Sequence, residues 1–458
     1  MLRRKSLSSL PAGARSLRFP VKVALTGAVL SALLLAGGCA SAPTAYIEPA
    51  PLAVPARTAL NLEIFDTVAR LVPDKYFDPH LHGVDWPAQC ARYRPDAATA
   101  TNDAELYSVL DRLCAELKES HLTPLPPRMT HEIRTAHRLA VGMDCMRLEG
   151  RLVVTELIPG SPAAEAGVLP GWEIVSCEGR TLAGGFPPPA QPERPVTYGF
   201  MDLANQPRAI TFKPQLIPRA RLLARELPDG ILYLRFDQFD RESLRWLSRQ
   251  LKDNHGMTGV VLDLRDNPGG LVYVANLAVG EFFNHRVVTG EFIRSSGRVT
   301  TAHGWPLFSA HYTGPLVILA GGGTGSAAEI FAHVMQQHGR ATIVGRRTAG
   351  AVIASRTYPL PGGGWLQVPI EDYRGIDGLR LEGRGVTPDI AVPPLAVADL
   401  RQGRDHDVEV ALSKLTASAT SRLALPADGS RQMRSSSSMA MPPAGAKTSF
   451  ATTSAPTQ

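Results

Sequence analysis

The sequence predicts a multidomain α/β protein. From Gly230 onward, apolar strands alternate with helical segments, as in an α/β core. The strand at 259–264 is almost continuously apolar, which is typical of a strand buried on both faces of a sheet. Before this region, residues 58–130 show helical periodicity and residues 137–215 contain short strands and turns. With 458 residues, the chain is long enough for two or three domains with cores of their own.

The net charge of +6 belongs to the first segment of the chain. Residues 1–38 hold six of the 48 basic residues and no acidic ones, and the other 42 basic residues balance the 42 acidic ones. We therefore expect no affinity for nucleic acid.

Residues 1–38 predict a secretion signal. A basic stretch to Lys22 precedes the apolar run Val23 to Ala36, which is short for a membrane span, and Gly37-Gly38-Cys39 follows. This segment resembles a bacterial lipoprotein signal, which implies lipidation of Cys39, although Ala36 stands where leucine is usual. Cleavage after Ala42 is the alternative. Either way we expect export, with the protein on the periplasmic side and anchored, by its lipid alone, to the outer membrane.

The Ala- and Pro-rich residues 39–57 predict a tether, and two helical stretches follow it. Apolar residues at helical spacing extend from Leu60 to Val72, and a second set follows Asn102-Asp103 and ends near Leu117. We expect one helix to cover residues 109–121. These stretches form a predicted N-terminal helical region, residues 58–130.

Residues 137–215 change to strands and turns. The stretch VVTELIPGSPAAEAGVLPGWEIVSCEGR looks like a PDZ domain, which implies that an extended peptide adds to a sheet edge with its carboxylate held by a backbone loop. By that resemblance the peptide-binding loop is Val141, Gly142 and Met143. The alternative is a spacer with an occluded groove.

Four cysteines follow Cys39 (Cys90, Cys114, Cys145 and Cys177). In an oxidising compartment an even number permits two disulfides, and sequence order suggests Cys90–Cys114 and Cys145–Cys177. Four buried free thiols are an equal alternative. No cysteine–histidine cluster indicates a metal, and we expect no cofactor.

The α/β core is predicted over residues 225–398. After Leu415 the chain turns to Ser, Ala, Thr, Pro and Met, so we expect a disordered tail at 416–458.

Two segments of the core could carry chemistry. In Gly321-Gly322-Gly323-Thr324-Gly325-Ser326, a buried strand runs into glycines, and a serine then opens a helix whose free N–H groups can bind an anion. Taken alone, Ser326 with Glu329 is better interpreted as a helix-capping box. The second segment, Asp263-Leu264-Arg265-Asp266-Asn267-Pro268-Gly269-Gly270, places a turn at the carboxyl end of a buried strand, where open α/β sheets hold their sites.

Together LDLRDNPGG and LAGGGTGSAAEIFAHVMQQHGRATIVGRRTAG resemble the core of the tail-specific (C-terminal-processing) peptidase family, from about residue 60 to about 395. YFDPHLHGVDW near the start fits the same family. The resemblance implies a crotonase-like peptidase core, with Ser326 as nucleophile. It also implies an oxyanion hole from the N–H groups of Gly269 or Gly270 and of Ala327.

The general base departs from the family's commoner pattern. Many members use a lysine, but the matching position here is Ala351, and no lysine lies between Ser326 and Lys414. The tricorn-protease-like branch uses histidine, and Ser120-His121 and Glu382 match its motif. A neutral imidazole can accept the serine proton, so His121 is the predicted base, oriented by Ser120 and Glu382. His338 is the competitor, but it lies over three helical turns from Ser326, roughly 18 Å.

Two functions remain open from the sequence. The first is an exported serine peptidase that hydrolyses proteins or peptides, near their C-termini, through an acyl-enzyme. The second is an inactive peptide-binding lipoprotein on the same scaffold. We expect the first, because Ser120, His121, Ser326 and Glu382 are all present.

Overall fold

The computed structural model describes residues 43–182, 184–307 and 311–423. The predicted secretion signal, Cys39 and the start of the tether lie outside these residues, as does the chain beyond residue 423. Within the described ranges, no helix is both long enough and apolar enough to cross a membrane.

The N-terminal helical region consists of α1 (Val54–Lys75), α2 (Trp86–Thr99) and α3 (Asp103–Ala115). The apolar faces predicted for α1 and α3 are buried against each other and against α2 in one cluster. Asn102 caps α3 by accepting the Glu105 amide. Helix α1 starts at Val54, inside the stretch predicted as tether, because Pro55 occupies the first turn, where a missing N–H has no cost.

Helix α3 ends at Ala115, so the prediction of a helix over 109–121 is wrong. After Ala115 the backbone hydrogen bonds span three residues, because the amides of Leu117 and Lys118 donate to carbonyls three residues earlier. Lys118 then takes a φ of 53°, in the left-handed region where a helix cannot continue. His121 therefore stands on a turn that leads into β1 (Thr123–Leu125).

The β-rich region forms a six-stranded sheet after a short helix. Its elements, in chain order, are α4 (Pro127–Thr135), β2 (His137–Ala140), β3 (Met143–Leu148), β4 (Arg151–Leu157), α5 (Pro162–Glu165), β5 (Glu173–Cys177), β6 (Arg180–Thr181), β7 (Val196–Met201), β8 (Pro207–Phe212) and β9 (Gln215–Pro218). The sheet order is β3-β4-β5-β7-β8, with β6 beside β5, and β2 pairs with β9 separately. Strand β3 lies at an edge of this sheet.

The remaining elements include the predicted alternation of strands and helices together with further strands. They are β10 (Leu222–Leu227), β11 (Ile231–Phe236), α6 (Arg241–Asp253), β12 (Gly259–Asp263), α7 (Val272–Gly280), β13 (Val287–Arg294), β14 (Val299–Gly304), β15 (Leu316–Ala320), α8 (Ala327–Gln337), β16 (Thr342–Gly345), β17 (Ile353–Pro359), β18 (Trp365–Arg374), β19 (Ile390–Ala391), α9 (Val397–Arg401) and α10 (His406–Leu423).

The α/β core is a six-stranded sheet of order β10-β11-β12-β15-β16-β19, parallel except for β10. Alternate residues of β11 face opposite layers: Leu232 and Leu234 pack with α6, α7 and α8, whereas Ile231 and Tyr233 face the α10 layer. Since β12 and β15 are direct neighbours, the turns that follow them lie side by side, and this positions the site. The predicted α/β core is confirmed.

A third sheet, β1-β18-β13-β14 with β17 beside β18, was not predicted. Its strands mix polar and apolar residues without strict alternation, so their pattern is weak. The sheet matters because β1 pairs with β18 through Thr123, Pro124 and Leu125, which fixes the chain just after His121.

The predicted disordered tail starts too early. Helix α10 runs through residue 416 to Leu423, anchored by the buried residues Val408, Ala411 and Leu415. Residues 416–423 lack an apolar stripe and continue a helix whose stability comes from packing earlier in the chain.

Candidate active site

Ser326 stands at a strained turn between β15 and α8. Its φ of 50° and ψ of −120° lie outside the regions that residues with a side chain favour, and such strain is held only where neighbours fix it. Here the Ser326 amide donates to the Ala351 carbonyl at 2.8 Å and to Glu329 Oε2 at 3.1 Å. A similar strand-to-helix turn displays the nucleophile of other hydrolases.

Glu329 does more than the capping box predicted from the sequence. Its carboxylate is fully buried and also accepts from Thr348 Oγ1 at 2.5 Å, from the Gly350 amide at 2.7 Å and from the Ala351 amide at 2.8 Å. Burial raises the pKa of Glu329, and these hydrogen bonds oppose the rise. Glu329 thus fastens the 348–351 loop to the helix that carries Ser326, a role to which no sequence signal beyond the cap pointed.

His121 faces Ser326 across the site. His121 Nε2 lies 3.2 Å from Ser326 Oγ, and His121 Nδ1 lies 2.7 Å from Ser120 Oγ. When Nδ1 carries the proton and donates it to Ser120, Nε2 presents its lone pair to the Ser326 hydroxyl. Burial lowers the pKa of His121, and the nearby Glu382 carboxylate opposes this shift in part. The neutral ring, which can act as a base, is therefore favoured.

Glu382 joins the group through the backbone. Its buried carboxylate accepts the Ser120 amide at 3.1 Å through Oε1 and the Val352 amide at 2.5 Å through Oε2. It connects the turn that carries His121 with the loop that contacts Ser326. The structure therefore brings together all four predicted residues, Ser326, His121, Ser120 and Glu382.

The predicted oxyanion donors divide into two groups. The Gly269 amide already donates to Asn267 Oδ1 at 2.9 Å, whereas the Gly270 and Ala327 amides have no partner among the described residues. Of the two glycines, Gly270 is therefore the one with a donor available for an anion. Gly269 has a steric role, since a Cβ there would lie 2.6 Å from Ser326 Cβ.

Asn267 is a residue that the sequence reasoning missed. Its side-chain amide donates to the Phe236 carbonyl at 2.8 Å, its Oδ1 accepts from Gly269, and its carbonyl accepts the Gly325 amide at 3.0 Å. It thus fixes the turn after β12 against the glycine loop before Ser326. An asparagine before Pro-Gly-Gly is a turn signal, but its link to the second loop is a tertiary contact.

Neither Ala351 nor His338 can serve as the base. Ala351, the position expected from the resemblance to match the lysine base, touches Ser326 through its backbone carbonyl, and its side chain is a methyl group. His338 lies at the far end of α8, with Nε2 3.2 Å from the Val288 carbonyl.

The predicted peptide-binding loop, Val141 to Met143, lies in the β-rich region. Its carbonyls point into its own fold: Val141 accepts the Ala163 amide, and Gly142 accepts the Ile158 amide and Ser161 Oγ. Gly142 has a φ of 83°, and a Cβ there would fall 2.1 Å from Ser161 Cβ, so the position requires glycine.

Cys90, Cys114, Cys145 and Cys177 are free thiols in this structure, as the second alternative expected, but only Cys114 and Cys177 are buried, whereas Cys90 and Cys145 are partly exposed. Burial raises the pKa of each of them. Across the described ranges, no group of three or more potential ligands could hold a metal ion.

Comparison with known proteins supports a peptidase. Residues 230–392 match peptidase family S41, and residues 59–115 match the tricorn protease C1 domain. A carboxyl-terminal-processing protease of Synechocystis sp. is 27% identical over 380 residues, which cover 76% of this chain and 85% of the relative. The carboxy-terminal-processing protease of Bartonella bacilliformis is 30% identical over 268 residues, covering 55% and 61%.

Among solved structures, mature CPAF in complex with lactacystin aligns with a TM-score of 0.55, at 13% identity, over 80% of this chain and 100% of its own. At that identity the likeness shows the fold alone. Taken with the family matches, the α/β core defines a serine-type peptidase. Residues 230–392 are a peptidase family S41 domain, and residues 59–115 are an N-terminal segment of the tricorn protease C1 type.

Proposed function

We propose that this protein is an exported serine peptidase in which His121 deprotonates Ser326. The observation that carries the proposal is the 3.2 Å approach of His121 Nε2 to Ser326 Oγ, between residues 205 positions apart in the chain. The imidazole and the hydroxyl come from remote segments, and the backbone of Ser326 is strained. Together they form the arrangement that nucleophilic catalysis needs.

The geometry supports an acyl-enzyme course. Ser326 Oγ attacks the scissile carbonyl carbon while its proton passes to His121 Nε2, and the carbonyl oxygen becomes an anion facing the Gly270 and Ala327 amides. The C–N bond then breaks as His121 returns the proton to the leaving amine. Water, deprotonated by the same imidazole, releases the acyl group and restores Ser326. Ser120 and Glu382 orient the ring and its turn.

The substrates that we propose are proteins or peptides cleaved near their C-termini. The relatives from Synechocystis and Bartonella are named for carboxyl-terminal processing. The resemblance of residues 137–215 to a PDZ domain supports the same substrate class, with Val141, Gly142 and Met143 receiving the terminal carboxylate beside the edge strand β3.

Export is part of the proposal and comes from the sequence. The basic and apolar segments before Cys39 support secretion and lipidation, which would place the peptidase on the periplasmic side of the outer membrane. Metabolic labelling with a fatty-acid analogue tests this, since Cys39→Ala should abolish incorporation.

The catalytic proposal is tested with a fluorophosphonate probe, which reacts with activated serines. We expect the folded wild-type protein to be labelled, Ser326→Ala to remain unlabelled, and His121→Ala to react about 10²- to 10⁴-fold more slowly, as for loss of a general base. Circular dichroism and the melting temperature show whether each variant is folded. Failure of the folded wild type to react would leave the peptide-binding lipoprotein as the function.

A further inference from the structure

A second group of titratable side chains lies beside His121 and takes no part in the proposed chemistry. It consists of Asp78 and His82 from YFDPHLHGVDW, Glu119 from the turn after α3, and Arg380 from the segment after β18. Glu119 joins the two halves of the group, because its side chain, which is only 5% exposed, contacts both His82 and Arg380.

The first half of the group forms because Asp78 folds the chain back on itself. Its carboxylate accepts the amides of His80 at 2.9 Å and His82 at 2.8 Å, and His82 takes a φ of 53°. The turn directs the His82 ring toward residues 119–121, where His82 Nε2 lies 2.9 Å from Glu119 Oε1. Tyr76 OH lies 2.9 Å from the same nitrogen.

The second half comes from Arg380. Its guanidinium donates to Glu119 Oε1 at 3.3 Å and to Asp372 Oδ1 at 2.8 Å, which ties Glu119 to the end of β18. Burial raises the pKa of Glu119, and the neighbouring Glu382 adds to the rise, while Arg380 and His82 oppose it. Glu119 Oε2 is buried without a hydrogen-bond partner among the described residues.

These contacts fix both residues that precede His121, Glu119 and Ser120, in the turn at 119–121. Arg380 and Glu382, two positions apart, bind Glu119 and the Ser120 amide respectively, and β1 then pairs with β18. Without the Glu119 contacts, the segment around 380–382 would hold this turn through the Glu382 hydrogen bond to the Ser120 amide and no longer through Arg380. A displacement of 1 Å at a reacting group can cost about 10²-fold in rate.

We propose that Glu119 is a positioning residue, held by His82 and Arg380, that keeps the His121 ring within reach of Ser326. The inference rests on the proposed function, since it concerns the same base. It adds to that function residues that act through the turn and do not touch the substrate.

The test measures the maximal rate of fluorophosphonate acylation, and the probe concentration that gives half that rate, on the folded fraction of each variant. Glu119→Ala should lower the maximal rate about 10- to 10²-fold and leave the half-maximal concentration unchanged, as expected for a misplaced base. Glu119→Gln keeps an oxygen acceptor for His82 and Arg380 and should stay within about fivefold of wild type. Glu116→Gln, three residues earlier and bonded to Tyr93, is the matched control.

A purely structural role would lower the melting temperature and leave the folded fraction reacting at the wild-type rate, and that result overturns the inference. If Glu119→Ala does not fold, the double variant His82→Gln/Arg380→Gln replaces it, because it disturbs both donors and keeps Glu119. Wild-type acylation by that variant would also overturn the inference. His121→Ala, measured in parallel, separates the two proposals: a wild-type rate there refutes the catalytic role of His121 itself.

Discussion

Two segments contact Ser326, and they do so in different ways. The turn at 119–121 presents an imidazole nitrogen to the serine hydroxyl. The loop at 348–352 presents a backbone carbonyl to the serine amide, and its own amides are held by Glu329 and Glu382. The first segment can exchange a proton with Ser326, whereas the second can only hold it in place.

This contrast separates the support of Ser326 from the acceptance of its proton. Position 351, which the family resemblance matches to a lysine base, lies beside Ser326 but carries a methyl group. The proposed proton acceptor, His121, comes instead from a segment more than 200 residues earlier, which must be positioned by its own contacts. In this proposal the loop is a rigid support and the turn is the reactive partner, and substitutions in each segment separate these roles.

The largest effect should follow from releasing the loop. Glu329→Gln replaces one carboxylate oxygen by an NH2 donor, which then faces two of the four groups that donate to Glu329 and leaves them unsatisfied in a buried site. We expect a loss of about 3 kcal/mol in the free energy of unfolding, and acylation reduced more than about 10²-fold. Urea denaturation and probe labelling measure the two.

The matched control is Glu242→Gln, because Glu242 is also a first-turn glutamate but is exposed on α6. Unchanged stability of Glu329→Gln would show that the loop is held by other contacts.

A smaller effect should follow from loosening the turn after β12. Asn267→Ala removes the acceptor of the Gly269 amide and the donor to the Phe236 carbonyl. We expect about a 10²-fold slower acylation, the size of losing one oxyanion donor, with His121 still able to deprotonate the serine. A wild-type rate in Asn267→Ala would mean that the turn does not shape the anion site.

The smallest effect is expected at position 351. Ala351→Ser changes the side chain and keeps the carbonyl and amide that bind Ser326 and Glu329. Acylation should change by less than about threefold, an energy below about 0.7 kcal/mol. A much larger change would give the loop a part in the chemistry and would weaken the contrast between the two segments.

The sequence was sufficient for the parts of the fold that depend on local periodicity. Helix α8 begins just after Ser326 as predicted, and the buried strand predicted at 259–264 is β12, Gly259–Asp263. The β1-β18-β13-β14 sheet was missed, because its pattern becomes meaningful only when remote strands pair. The end of α3 was missed because a left-handed Lys118 has no distinctive sequence signal.

For the site, the sequence supplied residue types and a family resemblance, and the distances had to come from tertiary structure. Ser326, His121, Ser120 and Glu382 were all predicted, and they meet. Asn267, Glu329 and Glu119 were not predicted as parts of the site. They act by joining segments far apart in the chain, and spacing along a sequence does not encode such links.

The proposed mechanism requires the His121 imidazole to take the proton of Ser326. Burial lowers the pKa of His121 below the ordinary value of 6.5, so its neutral form should persist as the pH falls through 6.5 and be lost only at more acidic pH. The direct measurement pairs the pH dependence of fluorophosphonate acylation with NMR titration of labelled His121, assigned by its absence in His121→Gln. The acid limb of acylation and the His121 titration should coincide at a pH below 6.5. An acid limb that does not follow the titration of His121 would contradict the proposed mechanism.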